Sequence, residues 1–371
     1  MPEKFSSFEV RATSLARLVD KARSHVASVR GLGLLALTSE AATSAEPLAR
    51  ALASTGGTWI VTVAPGVLSE RGEVEGMPAA VGLALPGVKG TAVLESSGLT
   101  PFARELGDQL TSGRGALLLT AAEASESGSL ASLQAELGEA GSRVFGAGTP
   151  PDRMHYLAHR GEVRQARSVA VAFDRSWLPR VICSAGCRLL SPLTAITRTR
   201  GRSVLELEGV PALTALGQCA GQLEDAPLIL LAVASDDDAL SEGGRKLALK
   251  AIVGVDPGRG GIDLDGELPL GTRVAFAVRD GHAARVDLDA HLRTLRQNCR
   301  GAAPSFGIYV ASSGRGRRLY DGDDVDVRLI RSHFPDMPLL GFQSVFEVSP
   351  VLGRLTSQIQ SGVLGVFCAP S

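Results

Sequence analysis

Gly31-Leu32-Gly33-Leu34-Leu35-Ala36-Leu37-Thr38 is the stretch on which the fold turns. It formally satisfies the G-x-G-x-x-A dinucleotide fingerprint, but that fingerprint requires a strand, then the glycine turn, then a helix whose N-terminus holds the pyrophosphate. Here the order is reversed. Upstream, Leu15, Leu18, Val19, Ala22, Val26 and Val29 fall near one helical face with Arg and Lys elsewhere, which predicts an amphipathic helix that Gly31-Leu32-Gly33 stops. Downstream, Leu34 to Thr38 reads as a short buried strand. The glycines are assigned to ending a helix, not to a cofactor.

Working outward, strands and helices alternate. A helix over Pro47 to Ala53 follows the capping residues of Ser39 to Glu46, and strands are predicted at Trp59 to Val63 and Ala79 to Leu85, with turns at Pro65-Gly66 and Arg71-Gly72. Helices near Pro101 to Leu110 and Ser129 to Leu137 alternate with strands at Ala116 to Thr120 and Arg143 to Gly146. Such alternation predicts an α/β fold with mixed β-sheets flanked by helices. From Ser168 the texture becomes strand-rich: Ser168 to Phe173, Arg180 to Ser184, Ala195 to Arg198 and Ser203 to Leu207, the last two joined by a hairpin turn at Gly201-Arg202. Trp177 to Pro179 is read as a hinge between two packed α/β domains. Beyond it come a helix from Pro211 to Cys219, strands at Leu228 to Ala234, Ala251 to Val255 and Arg273 to Val278, and a helix around Val286 to Cys299. Strands at Ser305 to Ala311, Leu339 to Phe342 and Leu364 to Phe367 complete the set. No strict sequence repeat is visible.

Composition narrows the function. A chain of 371 residues, 44% hydrophobic, can bury cores for two domains, and a net charge of −1 gives no bulk attraction to nucleic acid or to an anionic membrane. Met1 to Asp20 lacks the apolar run of a signal peptide, and the uncharged segment Ala51 to Ser69 is broken by Gly56-Gly57 and Pro65, so no membrane insertion is expected. Five scattered cysteines fit reduced thiols in a cytoplasm. His155 and His159 have the spacing of a zinc pair on a helix but lack a third ligand, and a polar face before Gly161 is the plainer reading. Asp256 to Glu267 imitates an EF-hand loop but places Gly258 and Gly260 where ligands belong, which favours a glycine-rich hairpin. The acidic runs at 236–238 and 321–326 read as solvated turns. No metal, no cofactor and no catalytic residue is assigned.

Gly314-Arg315-Gly316, Phe334-Pro335, Pro338-Leu339-Leu340-Gly341-Phe342 and Glu347 form an ordered set that resembles the closing part of a FIST_C domain. Leu205-Glu206-Leu207-Glu208-Gly209-Val210-Pro211-Ala212-Leu213 resembles the bridge into that domain. Gly33-Leu34-Leu35-Ala36, Trp59 to Leu68, Gly72-Glu73-Val74-Glu75 and Phe145 to Thr149 resemble FIST_N. The resemblance implies a helix over 1–30, a FIST_N-like domain over 31–178 and a FIST_C-like domain over 179–371. It implies a cytoplasmic sensory or adaptor protein, not an enzyme, that binds a small molecule; the charged pair and apolar walls of the block described below suit an amino acid or related metabolite. With nearly the whole chain consumed, such a protein signals through an unidentified partner protein in trans. A haem-dependent gas sensor is the alternative, and an enzyme without a recognisable motif a third. The chain departs from the family in Phe346-Glu347-Val348, where a Gly commonly precedes the Glu, and in Gly353-Arg354-Leu355-Thr356, where the family often has His-Asn-x-Thr.

The same block is the candidate ligand site. Gly314 and Gly316 permit close backbone approach, Arg315 offers a planar cation to a carboxylate, Glu347 an anion to an amine, and Phe342 and Phe346 apolar walls. The other reading is that Arg315 and Glu347 pair with each other or with neighbours and stabilise the domain.

Overall fold

The computed structural model describes residues 5–12, 14–26, 31–121, 129–223, 228–234, 244–299, 303–351 and 353–369. The acidic run at 236–238 and Val29 lie outside them. The chain is α/β, with mixed sheets flanked by helices.

One motif is built three times. The first copy runs β1 (Ser6–Arg11), α1 (Leu15–Val26), β2 (Gly31–Thr38), α2 (Ala45–Ala53), β3 (Thr58–Ala64), a hairpin β4 (Gly66–Ser69) and β5 (Gly72–Glu75), and β6 (Ala79–Pro86). Strand β3 lies parallel to β2, whereas β6 returns antiparallel on β2's other side and β1 flanks β6. The second copy repeats this order as β7 (Gly90–Leu94), α3 (Leu99–Leu110), β8 (Ala116–Ala121), α4 (Ser129–Leu137), β9 (Val144–Thr149), the hairpin β10 (His155–His159) and β11 (Glu162–Ala166), and β12 (Ser168–Phe173). The third begins with β13 (Arg180–Ala185).

An insertion follows: β14 (Cys187–Leu189), β15 (Thr194–Arg200), β16 (Ser203–Leu207), β17 (Val210–Pro211), α5 (Ala212–Ala220), β18 (Ile229–Ala234), β19 (Leu247–Asp256), β20 (Gly261–Leu264) and β21 (Arg273–Arg279). The third copy then resumes with α6 (Gly281–Asn298), β22 (Pro304–Ser312), α7 (Arg317–Tyr320), α8 (Val325–His333), β23 (Leu339–Ser344), the hairpin β24 (Phe346–Val351) and β25 (Arg354–Gln358), and β26 (Ser361–Cys368).

None of the three hairpins stays in its own sheet. The first copy's β4–β5 pairs with β23, the third copy's β24–β25 with β9, and the second copy's β10–β11 with β3, so the three sheets lock in a ring. The registers match as well: the parallel pairs end at Thr38↔Ala64, Ala121↔Thr149 and Ser312↔Ser344. Equivalent residues therefore meet in one central core, with Leu34, Leu117 and Ile308, then Ile60, Phe145 and Leu340, then Leu85, Phe173 and Phe367. Strands buried on both faces need continuous apolar runs, which is why β2 and β8 are so uniformly apolar. Helices cover the outer faces: α2 buries Ala45, Leu48, Ala49 and Leu52 at helical spacing, and α6, capped by Asp280 on the Ala283 amide at 2.7 Å, buries Ala284, Leu288, Leu292 and Leu295.

The insertion closes on itself. Strands β21, β15, β16, β20, β19 and β18 pair in sequence, and β18 returns to β21, giving a six-stranded antiparallel barrel filled by Val204, Leu231, Val233, Ile262, Val274 and Phe276 with Ala212 and Cys219 of α5.

Several expectations are corrected. A strand, β1, precedes the N-terminal helix. His155 and His159 stand on a strand, not a helix, and bond Thr62 and Thr58. The EF-hand imitation is a hairpin, with Asp256 paired to Gly261. Gly31 and Gly33 lie inside β2: Gly31, at φ +141°, has no room for a Cβ beside the Leu85 carbonyl, and the Trp59 ring lies across Gly33. Close packing explains both glycines.

Candidate functional site

Open α/β sheets present ligand sites beyond the carboxyl ends of parallel strands. In the third sheet these ends are Ser312 and Ser344, and Gly314, Arg315, Gly316, Phe346 and Glu347 all follow directly from them. The chain turns tightly after β22, where the Ser313 amide donates to the Ser344 carbonyl at 2.9 Å and the Arg315 amide to that of Ser312 at 2.9 Å. Gly316 has φ +64° and ψ −142°, a conformation open to glycine, and a Cβ there would lie 2.5 Å from a Glu73 carboxyl oxygen. A Cβ on Gly314 would collide with the Gln360 carboxamide.

Arg315 is only 2% exposed. Its Nε and Nη2 donate to the two carboxylate oxygens of Asp326 at 2.8 and 3.0 Å, Nη2 also reaches the Tyr320 hydroxyl at 2.5 Å, and Nη1 the Ser184 carbonyl at 3.4 Å. The Tyr309 and Tyr320 hydroxyls donate to Asp326 at 2.7 and 2.6 Å. Burial works to raise the Asp326 carboxyl, but the charge and hydrogen bonds of Arg315 and the tyrosines outweigh it and hold the group below the ordinary aspartate range. The 321–326 segment is thus not wholly a solvated turn: Asp323 is exposed on Arg317, whereas Asp326 anchors a buried cluster.

Glu347 is fully buried. It accepts from the Ser344 hydroxyl at 2.6 Å and from the Ser361 hydroxyl and amide at 2.7 and 2.9 Å. Burial lifts its carboxyl to about 7, with these donors and the Arg315 charge pulling the other way. Arg315 and Glu347 thus gather at one sheet end, each hydrogen-bonded by its own neighbours. The two phenylalanines part: Phe342 lies in the central core opposite Val67, and Phe346 packs over Gly148 in the core of the second copy.

Glu73, on the visiting β5, lies over the Gly316 turn. Its amide donates to Asp324 Oδ1 at 2.7 Å, but among the described residues no hydrogen bond reaches its half-buried carboxyl. Burial first, then the charges of Asp326, Asp324 and Glu75, push that carboxyl up to about 8 against the pull of Arg315. Sequence reading passed over Glu73, Asp326, Tyr309 and Tyr320 as site residues. Asp326 was present as part of an acidic run, and Glu73 as part of a family-like segment, but nothing local brings either to Arg315.

The hairpin position of Glu347 recurs in the other copies as His155 and Val67. His155 is held between Thr62 at 3.0 Å and Thr149 at 3.2 Å, and burial drives its ring down to about 3, so it is neutral.

This is an α/β architecture of three interlocked copies and an inserted barrel, with a buried ionic centre at a sheet end. A FIST N domain profile matches residues 31–210 and a FIST C domain profile residues 214–350, and the chain belongs to the FIST family. It is 28% identical over 180 residues to an uncharacterized protein of Mycobacterium bovis and to one of Mycobacterium tuberculosis, covering 47% of this chain and 46% of each relative. A second M. tuberculosis protein, also uncharacterized, is 28% identical over 179 residues. The chain thus spans about half the length of the curated relatives it matches. FIST domains are sensory domains. Among the described residues, no helix is long and apolar enough to cross a membrane.

Proposed function

We propose that the protein is a cytoplasmic small-molecule sensor that binds without turnover and passes its state to a partner protein in trans. The observation that carries this reading is Glu73. Arg315, Asp326 and Glu347 have their hydrogen bonds filled, whereas Glu73 is a half-buried acid among like charges, held mostly protonated near neutral pH. A ligand ammonium beside it supplies the missing counter-charge, as an amino acid or related amine does. Because Glu73 sits on a hairpin lent by the first copy to the third sheet, its occupancy bears on how two copies dock, and a docking change is readable by another protein.

Ionised Glu73 is the binding form, so binding an ammonium expels a proton and affinity rises with pH through about 8. In a thermal-shift screen of amino acids and small amines, active compounds raise the melting temperature at pH 8.5, and their affinity falls roughly twentyfold by pH 6.5. Glu73→Gln abolishes the response. A panel with no active compound, or a variant that responds like the parent, defeats the reading.

A further inference from the structure

A cleft of about 470 Å³ opens at the other end of the third sheet, where α6 ends, β22 begins and the chain passes from α8 to β23. Phe334, Met337 and Pro304 give it apolar walls, and Arg296, His333 and Asp336 its polar groups. His333 is the informative one. Its Nε2 lies 2.8 Å from Asp289 Oδ1, and a carboxylate only accepts, so Nε2 carries a hydrogen, and in the singly protonated ring Nδ1 is the acceptor. That Nδ1 is buried and has no partner among the described residues. Buried acceptors are ordinarily satisfied, and one left without a partner on a residue that lines a cleft points to a donor brought by whatever fills the cleft. Arg296 is exposed and makes no ion pair among the described residues, whereas its helix neighbour Arg293 is held by Asp289.

We propose that this cleft binds a hydroxy-monocarboxylic acid with an apolar body. Arg296 takes the carboxylate, His333 Nδ1 accepts from the hydroxyl, and Phe334, Met337 and Pro304 cover the carbon skeleton. Asp336, an anion in the same wall, disfavours a second carboxylate. This site is separate from Glu73, and its failure leaves the amine reading untouched.

The probes are 3-phenyllactate, 3-phenylpropionate, which lacks the hydroxyl, and benzylmalonate, which adds a carboxylate. Protein carrying ¹³C-methyl methionine reports location, since Met337 is one of only four methionines. Saturable titration of the Met337 methyl by 3-phenyllactate is expected, with 3-phenylpropionate about tenfold weaker and benzylmalonate weaker still. His333→Phe erases the preference for the hydroxyl, and Arg296→Gln weakens both monocarboxylates alike. No saturable shift at Met337 overturns the proposal, as does a hydroxyl preference that survives in a folded His333→Phe protein. Should that variant not fold, equal affinity of the parent for the two monocarboxylates, or an unchanged affinity in Arg296→Gln, overturns it equally.

Discussion

At the scale of single residues, the guanidinium of Arg315 and the carboxylate of Asp326 leave water together, and what makes their burial tolerable is that each guanidinium nitrogen and each carboxylate oxygen has a hydrogen-bond partner. Removing one partner strands the other. Arg315→Ala is expected to destabilise the fold by about 3 to 5 kcal/mol, read as a lower urea midpoint, because Asp326 is then a buried charge with only tyrosine donors. Replacing both residues with apolar ones of similar size costs less than the sum of the single changes, since no ion is left behind. A near-neutral Arg315→Ala would contradict this. From the sequence, Arg315 was legible as a cation suited to a carboxylate, and Gly316 as a point of close approach. The carboxylates that approach them, Asp326 and Glu73, were not assigned, because one arrives through the fold of the α7–α8 segment and the other from a strand some 240 residues earlier in the chain.

At the scale of elements, the strands legible in the sequence were those buried on both faces, such as β2, β3, β8 and β22, whose apolar runs carry their own signal. All three travelling hairpins went unread. They are short, they rest on strands of another copy, and their alternation is blurred by residues such as His155 and Glu347 that serve polar partners inside the core. Phe346 illustrates the point. This chain has a ring at the head of the hairpin, and the room for it is made by Gly148 on the host strand β9. Gly148→Ala drives a methyl into that ring and is expected to cost about 1 to 3 kcal/mol. In a Phe346→Ala background the same change costs much less, and a double-mutant cycle in urea measures the coupling. Additive costs would mean that the hairpin does not dock through this contact.

At the scale of the molecule, the FIST N and FIST C profiles meet between residues 210 and 214, inside the barrel, between β17 and α5. The physical partition lies elsewhere. The central core draws on all three copies, and the exchanged hairpins bind the first half of the chain to the second, so residues 1–178 alone lack both the guest strands for β9 and the host strand for β4. The barrel has its own core, and its ends are adjacent: the Asp280 amide donates to the Gly186 carbonyl at 3.3 Å. A chain in which a short glycine linker joins Gly186 to Asp280 is therefore expected to stay monodisperse in size-exclusion chromatography and to unfold cooperatively in urea. It loses some stability, because Arg245 no longer donates its amide to Asp287 at 2.7 Å and Lys250 no longer reaches the Ser357 carbonyl. The 1–178 fragment, tested alongside, is expected to show no cooperative transition. The opposite pair of results, a folded fragment and a collapsed excision, would mean that the chain's stability follows the two halves and not the three interlocked copies.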